Sequence, residues 1–306
     1  MDADLRHLRY FVAVAERLSF SRAAEDLHIA QPSLSKQIRQ LERNLRIQLF
    51  RRNSRHVELT GAGELLLRDA RTLLDTWSAT LATLRDLDSA ENKVLRVGFA
   101  ASAANEMTPT ILRRFTDAHP DWRVEMSQTD WQDPTAGLAG GAVDVALLRL
   151  PVPLDDTFAI RTLLEEPRCV ALASTHPLAR SAVIRLEQVL DEPFVAPPEE
   201  SGQWRDYCLA TDARGGHAVR IGAVAKRPDE WLIAIATGLG IAFTPLATAR
   251  YYQRPDITYR PVEGISGSEV GVVWPRSSTS EAVLGFVRAC IDTAADPTDP
   301  TDPTDP

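Results

Sequence analysis

Apolar positions recur every three or four residues through roughly the first ninety positions, then give way to short apolar runs separated by polar stretches. Leu5, Leu8, Phe11, Val12 and Ala15 mark one face of a first helix. Ser21 is a candidate N-cap for a second, short helix through Leu27, with Ala23, Ala24 and Leu27 facing inward. The stretch "HIAQ" makes the turn into a third helix. Pro32 suits its first position, where a missing N–H leaves no intrahelical bond unmade. Leu34, Ile38, Leu41 and Leu45 give that helix its buried stripe, while Ser, Lys, Gln and Arg occupy the other face. "LFRRNSRHVELT" alternates about an Asn-Ser turn and predicts a small β-hairpin, or wing. Thr60, Gly61 and Gly63 punctuate this unit.

A long helix is predicted over 64–89. Leu66, Ala70, Leu73, Trp77, Leu81, Leu84 and Leu87 recur at threes and fours with no Pro or Gly between them. At 1.5 Å per residue this is on the order of 40 Å of helix. Its apolar stripe can pack against a second copy of the chain or serve as an ordinary core face; its place between two differently charged units favours the copy. From Val94 onward strands and helices alternate. The strands are "LRVGFA", "WRVEMSQ", "VDVALLRL", "CVALAS", "PFVAP", "RIGAVA" and "GIAFTP"; the helices reach about Ala118, then fall near 134–139, 204–213 and 228–237. The alternation predicts an α/β domain with mostly parallel sheets and a ligand crevice at the strand C-terminal ends, and about 200 residues accommodate two sub-sheets. The final "DPTDPTDPTDP" repeats Thr-Asp-Pro without an apolar residue and predicts a disordered or extended tail.

Composition narrows the function. A chain of 306 residues has two or three compact units as its prior, and 44% hydrophobic with 25% charged residues is ordinary for globular domains. No apolar run approaches the roughly 18 residues needed to span a bilayer, and "MDADLRHLRYF" has no apolar core of a secretory signal, so a cytoplasmic chain is expected. Cys169, Cys208 and Cys290 are far apart, with no CxxC pair or Cys/His cluster; buried, inert thiols are expected, with no disulfide framework and no metal site. The net charge of −8 argues against nucleic-acid binding until its distribution is read. Residues 1–60 carry 11 Lys+Arg against 7 Asp+Glu, and the remainder carries 23 against 35. Between His28 and His56, seven basic residues face one acidic residue, Glu42. A basic module on an acidic body places phosphate binding at one end.

A helix-turn-helix reads DNA because its second helix fits the major groove while the first holds it there. Gln31, Pro32, Ser33, Ser35, Lys36 and Arg39 cluster at the start and on the polar face of the third helix. Gln pairs with adenine, Lys or Arg with guanine, and the Pro32 ring can touch a thymine methyl. Arg51, Arg52 and Arg55 in the wing suit backbone or minor-groove contact. A polar helical face alone is usually just solvated; the proline, the basic cluster and the wing together point to DNA.

The pattern "LRHLRYFVAVAERLSFSRAAEDLHIAQPSLSKQIRQLERNLRIQLFRRNSRHVELTGAG" resembles the winged helix-turn-helix of LysR-type transcriptional regulators, and the order of parts resembles that family to the tail. The resemblance implies an α+β multidomain protein. Its parts are a winged helix-turn-helix at 1–62, a linker and dimerisation helix at 63–91, and a periplasmic-binding-protein-like α/β effector domain at 92–293, with a disordered tail at 294–306. The effector domain would comprise subdomain I at about 94–163 plus 267–292 and subdomain II at about 164–266, joined by two crossing strands. It further implies a homotetramer on an interrupted palindrome at promoters, DNA bending that changes with a small-molecule effector, RNA polymerase as a partner, and no cofactor. Base and phosphate contacts would fall on Ser21, Gln31, Pro32, Ser33, Ser35, Lys36, Arg39, Arg52 and Arg55. The effector site would take Ser102, Trp131, Arg149, Pro198 and Ser201. Ser102 either holds a carboxylate or caps a helix; Arg149 faces an anion or makes an internal ion pair; Ser201 caps a helix or touches ligand. Trp131 stands where many members carry a small Ser or Thr, which shrinks or stiffens the pocket. Glu199 and Glu200 can receive an amine or close the cleft. Cys208 has no nearby cysteine in sequence, which argues against the disulfide switch of peroxide-sensing members.

Two other classes are weaker. An enzyme lacks support, since no nucleophile elbow, P-loop, HExxH or dinucleotide fingerprint is present. A solute-binding protein fits the C-terminal pattern but leaves residues 1–60 unexplained.

Overall fold

The computed structural model describes residues 4–296 apart from 28, 53–56, 100–103 and 105–106. His28, the Asn-Ser turn of the wing, Arg55, Ser102 and the Thr-Asp-Pro tail from 297 onward lie outside the described residues. The chain divides into two compact units, Met1–Leu81 and Ala82–Pro306.

Three helices open the first unit: α1 (Leu5–Arg17), α2 (Phe20–Asp26) and α3 (Gln31–Leu45). The Asp4 carboxylate caps α1 by accepting the His7 N–H at 2.8 Å. The cap of α2 is Ser19, which accepts the Arg22 N–H at 3.4 Å; Ser21, expected as the cap, lies exposed inside the helix. The cap lies two residues earlier than expected, and Phe20, the first helical residue, is buried against Phe50. Pro32 occupies the second rather than the first position of α3. Leu34, Ile38 and Leu41 are fully buried with Phe11, Val14 and Ala23, as the stripe predicts.

The wing is the antiparallel pair β1 (Phe50–Arg52) and β2 (Val57–Leu59). Its entry is fixed by Glu42, whose carboxylate accepts the N–H groups of Leu49 at 3.0 Å and Phe50 at 3.2 Å. The acidic residue of the basic stretch thus pairs with backbone donors. The long helix α4 (Gly61–Asn92) starts three residues earlier than predicted. Thr60 caps it, accepting the Gly63 N–H at 3.0 Å while donating to the Gln48 carbonyl at 2.7 Å. Gly63 is needed for proximity: a Cβ there would lie 2.3 Å from the Leu49 carbonyl oxygen. Along α4, Ala70 is buried, but Leu73, Trp77, Leu84 and Leu87 are exposed.

Two mixed sheets build the second unit. The first has the order β4-β3-β5-β13-β6, from β3 (Val94–Phe99), β4 (Arg123–Gln128), β5 (Val145–Leu150), β6 (Phe158–Glu166) and β13 (Ser268–Pro275). Strands β3, β4 and β5 are parallel, whereas β13 runs antiparallel to both neighbours. Helices α5 (Thr108–Ala118) and α9 (Glu281–Ala294) cover its core through Ile111, Phe115 and Phe286. The second sheet has the order β11-β7-β12-β8, from β7 (Arg168–Ala173), β8 (Ile184–Arg185), β11 (Ala242–Pro245) and β12 (Ile257–Glu263); only β8 and β12 pair in parallel. Beside it β9 (Pro193–Ala196) and β10 (Arg220–Val224) pair in parallel, with α6 (Gln203–Cys208), α7 (Pro228–Ala236) and α8 (Thr248–Tyr251) around them.

The expectation of mostly parallel sheets is corrected by β6, β12 and β13, which the apolar pattern does not single out. Strands β6–β7 and β12–β13 cross between the sheets as antiparallel partners, with Ser268 opposite Glu166 and Pro261 opposite Cys169. The helix expected near 134–139 is a series of turns. The Asp133 carboxylate takes the N–H groups of Thr135 at 3.0 Å and Gly137 at 2.7 Å, and Ala136 and Gly137 adopt positive φ, so the side chain outcompetes the helical pattern. The helix expected over 204–213 ends at Cys208, because Ala210 is left-handed.

Glu42→Ala removes the acceptor of two backbone donors at the wing. It should lower the stability of the first unit by about 1–3 kcal/mol in thermal unfolding of the chain; an unchanged transition would remove Glu42 from that role.

Candidate nucleic-acid interface and ligand cleft

The face of α3 opposite its buried stripe presents Gln31, Pro32, Ser33, Lys36 and Arg39, all exposed, with Ser35 half-buried among them. The Gln31 amide donates to the Ser35 hydroxyl at 3.0 Å, and Arg39 Nε donates to the Ser35 carbonyl at 3.2 Å. These are weak, exposed contacts that a stronger acceptor can replace. Among the described residues, neither Lys36 nor Arg39 makes an ion pair. Arg51 is exposed on β1, which ends at Arg52, and Ser21 is exposed on α2. The structure therefore gathers Gln31, Pro32, Ser33, Ser35, Lys36 and Arg39 on one surface.

In the second unit a cavity of about 610 Å³, its open mouth included, lies where β5, β9 and β11 end. Its wall is largely aromatic: Trp131, Trp204, Trp231, Phe243 and Tyr252. Trp131 is only 9% exposed and meets Trp204 and Trp231 edge to face, with ring centroids 5.8 and 6.3 Å away. Its backbone is held by the second sheet's loops: the N–H donates to the Lys226 carbonyl at 2.8 Å, and its carbonyl accepts the Ser201 hydroxyl at 2.5 Å.

Arg149 closes the floor. Its Nη1 donates to the Ser268 hydroxyl at 2.9 Å and lies 2.9 Å from Glu166 Oε1, with both charged side chains 7% exposed. Glu166 also accepts the Ala247 N–H at 2.7 Å. One guanidinium thus ties both crossing strands together beneath the cavity. Beside it Arg168 lies over the Tyr207 ring at 4.3 Å and donates to the Ser266 and Tyr207 carbonyls, each at 2.8 Å. Burial pulls the Arg168 pKa down and pushes the Tyr207 hydroxyl up. The Tyr207 hydroxyl donates to the Gly267 carbonyl at 2.7 Å. Cys208 lines the cavity, and burial pushes its thiol up to about 12, so it stays protonated and unreactive.

Of the expected effector residues, Trp131 and Arg149 line the cavity. Pro198 and Ser201 do not; Pro197 takes the lining place, and Ser201 is fully buried behind Trp131. Glu199 and Glu200 are exposed and away from the lining. Sequence reading missed Trp204, Trp231, Tyr252 and the pair Thr244–Thr248, whose hydroxyls bond at 2.8 Å. A tryptophan on a buried helix such as "PDEWLIAIA" is indistinguishable from core until the empty space beside it is seen.

Residues 5–64 match the bacterial regulatory helix-turn-helix protein, lysR family, and residues 88–295 match the LysR substrate binding domain. The chain belongs to the LysR family of transcriptional regulators. It is 37% identical to the regulator BenM of Acinetobacter baylyi over 265 residues, covering 85% of each chain. It is 32% identical to BudR of Raoultella terrigena over 287 residues, 93% of this chain and 99% of that one. The Hca operon transcriptional activator HcaR of Escherichia coli is 32% identical over 297 residues, 96% of this chain and 99% of HcaR. Among solved structures, full-length BenM superposes with a TM-score of 0.55 at 28% identity, covering 95% of this chain and 96% of that one. This LysR-family protein is a DNA-binding transcriptional regulator with an effector-binding domain, not an enzyme. No helix among its described residues is long and apolar enough to cross a membrane.

Arg149→Ala leaves Glu166 charged and buried, which should cost about 3–5 kcal/mol in thermal or denaturant unfolding, with Glu166→Gln recovering part of it. A loss below about 1 kcal/mol would show that the pair does not hold the crossing strands.

Proposed function

We propose that α3 lies in the major groove, with Gln31, Pro32, Ser33, Ser35, Lys36 and Arg39 toward base edges. Ser21, Arg52 and Arg55 hold flanking phosphates. The observation that carries this reading is the exposure of amide and cationic side chains over the first turns of α3 while Leu34, Ile38 and Leu41 are fully buried. The remaining assignments follow from family membership. Residues 1–62 read DNA, 63–91 pair copies of the chain, and 92–293 bind effector. The protein works as a homotetramer on an interrupted palindrome in the cytoplasm, and effector binding changes how it bends promoter DNA and meets RNA polymerase. Exposure of Leu73, Trp77, Leu84 and Leu87 on α4 supports the pairing.

The effector occupies the cavity beneath Trp131 and above Arg149. Ser201 supports it from behind by fixing Trp131, and Pro198 shapes the loop beside the lining residue Pro197. Ser102 is assigned to the effector by family membership alone.

Lys36→Ala combined with Arg39→Ala should weaken operator binding in a gel-shift titration, by roughly 1–3 kcal/mol for each side chain that pairs with a base. Unchanged affinity for the cognate DNA would mean that another element reads the bases.

A further inference from the structure

The cavity taken as the effector site is walled by rings and carries no unmatched charge among its described lining residues. Arg149 is the one charged residue of that lining, and Glu166 answers it at 2.9 Å. A carboxylate entering there meets a guanidinium already neutralised and lies close to a second carboxylate. An ammonium finds the nearby Glu166 carboxylate already paired with Arg149. Thr244 and Thr248 bond to each other, and the Cys208 thiol is protonated. Among the neutral nitrogen and oxygen groups of the lining, one differs. The Trp131 indole N–H has no acceptor among the described residues, although the side chain is nine-tenths buried and lines the cavity. An indole nitrogen only donates, and an unpaired buried donor is unfavourable until an acceptor reaches it. The ring-lined wall suits a ring-bearing molecule. Edge-to-face packing among Trp131, Trp204 and Trp231 holds the wall in shape before any ligand arrives.

We propose that the cavity selects an uncharged, ring-bearing effector that accepts a hydrogen bond from the Trp131 indole N–H, in preference to a carboxylate or an amine. This deepens the assignment of the cavity as effector site and rests on it.

The test is calorimetric titration of the full-length chain with three probes of similar size: benzamide, benzoate and benzyltrimethylammonium. Benzamide should bind about tenfold or more tighter than either ion. Trp131→Phe keeps a ring and removes the donor; it should weaken benzamide about tenfold. Thr248→Phe and Val195→Phe each fill the cavity, and whichever unfolds as cooperatively as wild type should abolish binding. Tighter binding of either ion that a filling variant abolishes overturns the inference and leaves the cavity assignment standing. Benzamide binding that Trp131→Phe leaves unchanged, or no benzamide binding at millimolar concentration, also overturns the inference. Probe binding that both filling variants leave unchanged overturns the cavity assignment itself.

Discussion

The second unit depends on one buried ion pair. Arg149 and Glu166 lie 2.9 Å apart with almost no solvent access, a placement that costs several kcal/mol of desolvation per charge unless every donor and acceptor is used. The Ser268 hydroxyl and the Ala247 N–H add a hydrogen bond to each member of the pair. The consequence is topological. Glu166 ends β6 and Ser268 begins β13, so one guanidinium from β5 holds both strands at the point where they leave the first sheet for the second. The same side chain forms the floor of the cavity, where aromatic rings make the wall. The lining of the cavity therefore includes the residue that fastens both sheets.

In the first unit the governing constraint is the anchoring of an exposed polar helix face by a buried apolar one. Leu34, Ile38 and Leu41 anchor α3, and each fully buried side chain contributes roughly 1.5–3 kcal/mol. Glu42 lies among seven basic residues, yet its carboxylate is occupied by the N–H groups of Leu49 and Phe50. Among the described residues Lys36 and Arg39, in the first turns of the helix, make no ion pair. The negative net charge of the whole chain does not cancel this, because the acidic excess lies beyond residue 60.

Much of this was legible in the residues. The helical stripes and the wing pairing emerge from spacing alone, since each buries one face on a unit too small for ambiguity. Ser21 misled as a cap because Ser19 competes for the same role, and the burial of Phe20 decides between them. Strands β6 and β13 escaped because they pair with each other, and β12 because it pairs with β7, in both cases between residues roughly a hundred positions apart. Helix 134–139 failed for a local reason, the Asp133 side chain taking backbone donors. At the cavity, Arg149 and Trp131 were expected from the family resemblance and line it, whereas Trp204, Trp231 and Tyr252 carry no mark distinguishing them from core.

Regulation at a promoter requires α3 to read bases rather than rest on a charged backbone. Selection of bound fragments from a random DNA pool by the full-length chain, followed by sequencing, measures this without knowledge of a target gene. The expected result is one enriched sequence with two inverted half-sites, which the chain lacking the Lys36 and Arg39 side chains no longer enriches. Retention of DNA with no enriched sequence, or the same enrichment without those side chains, would contradict it.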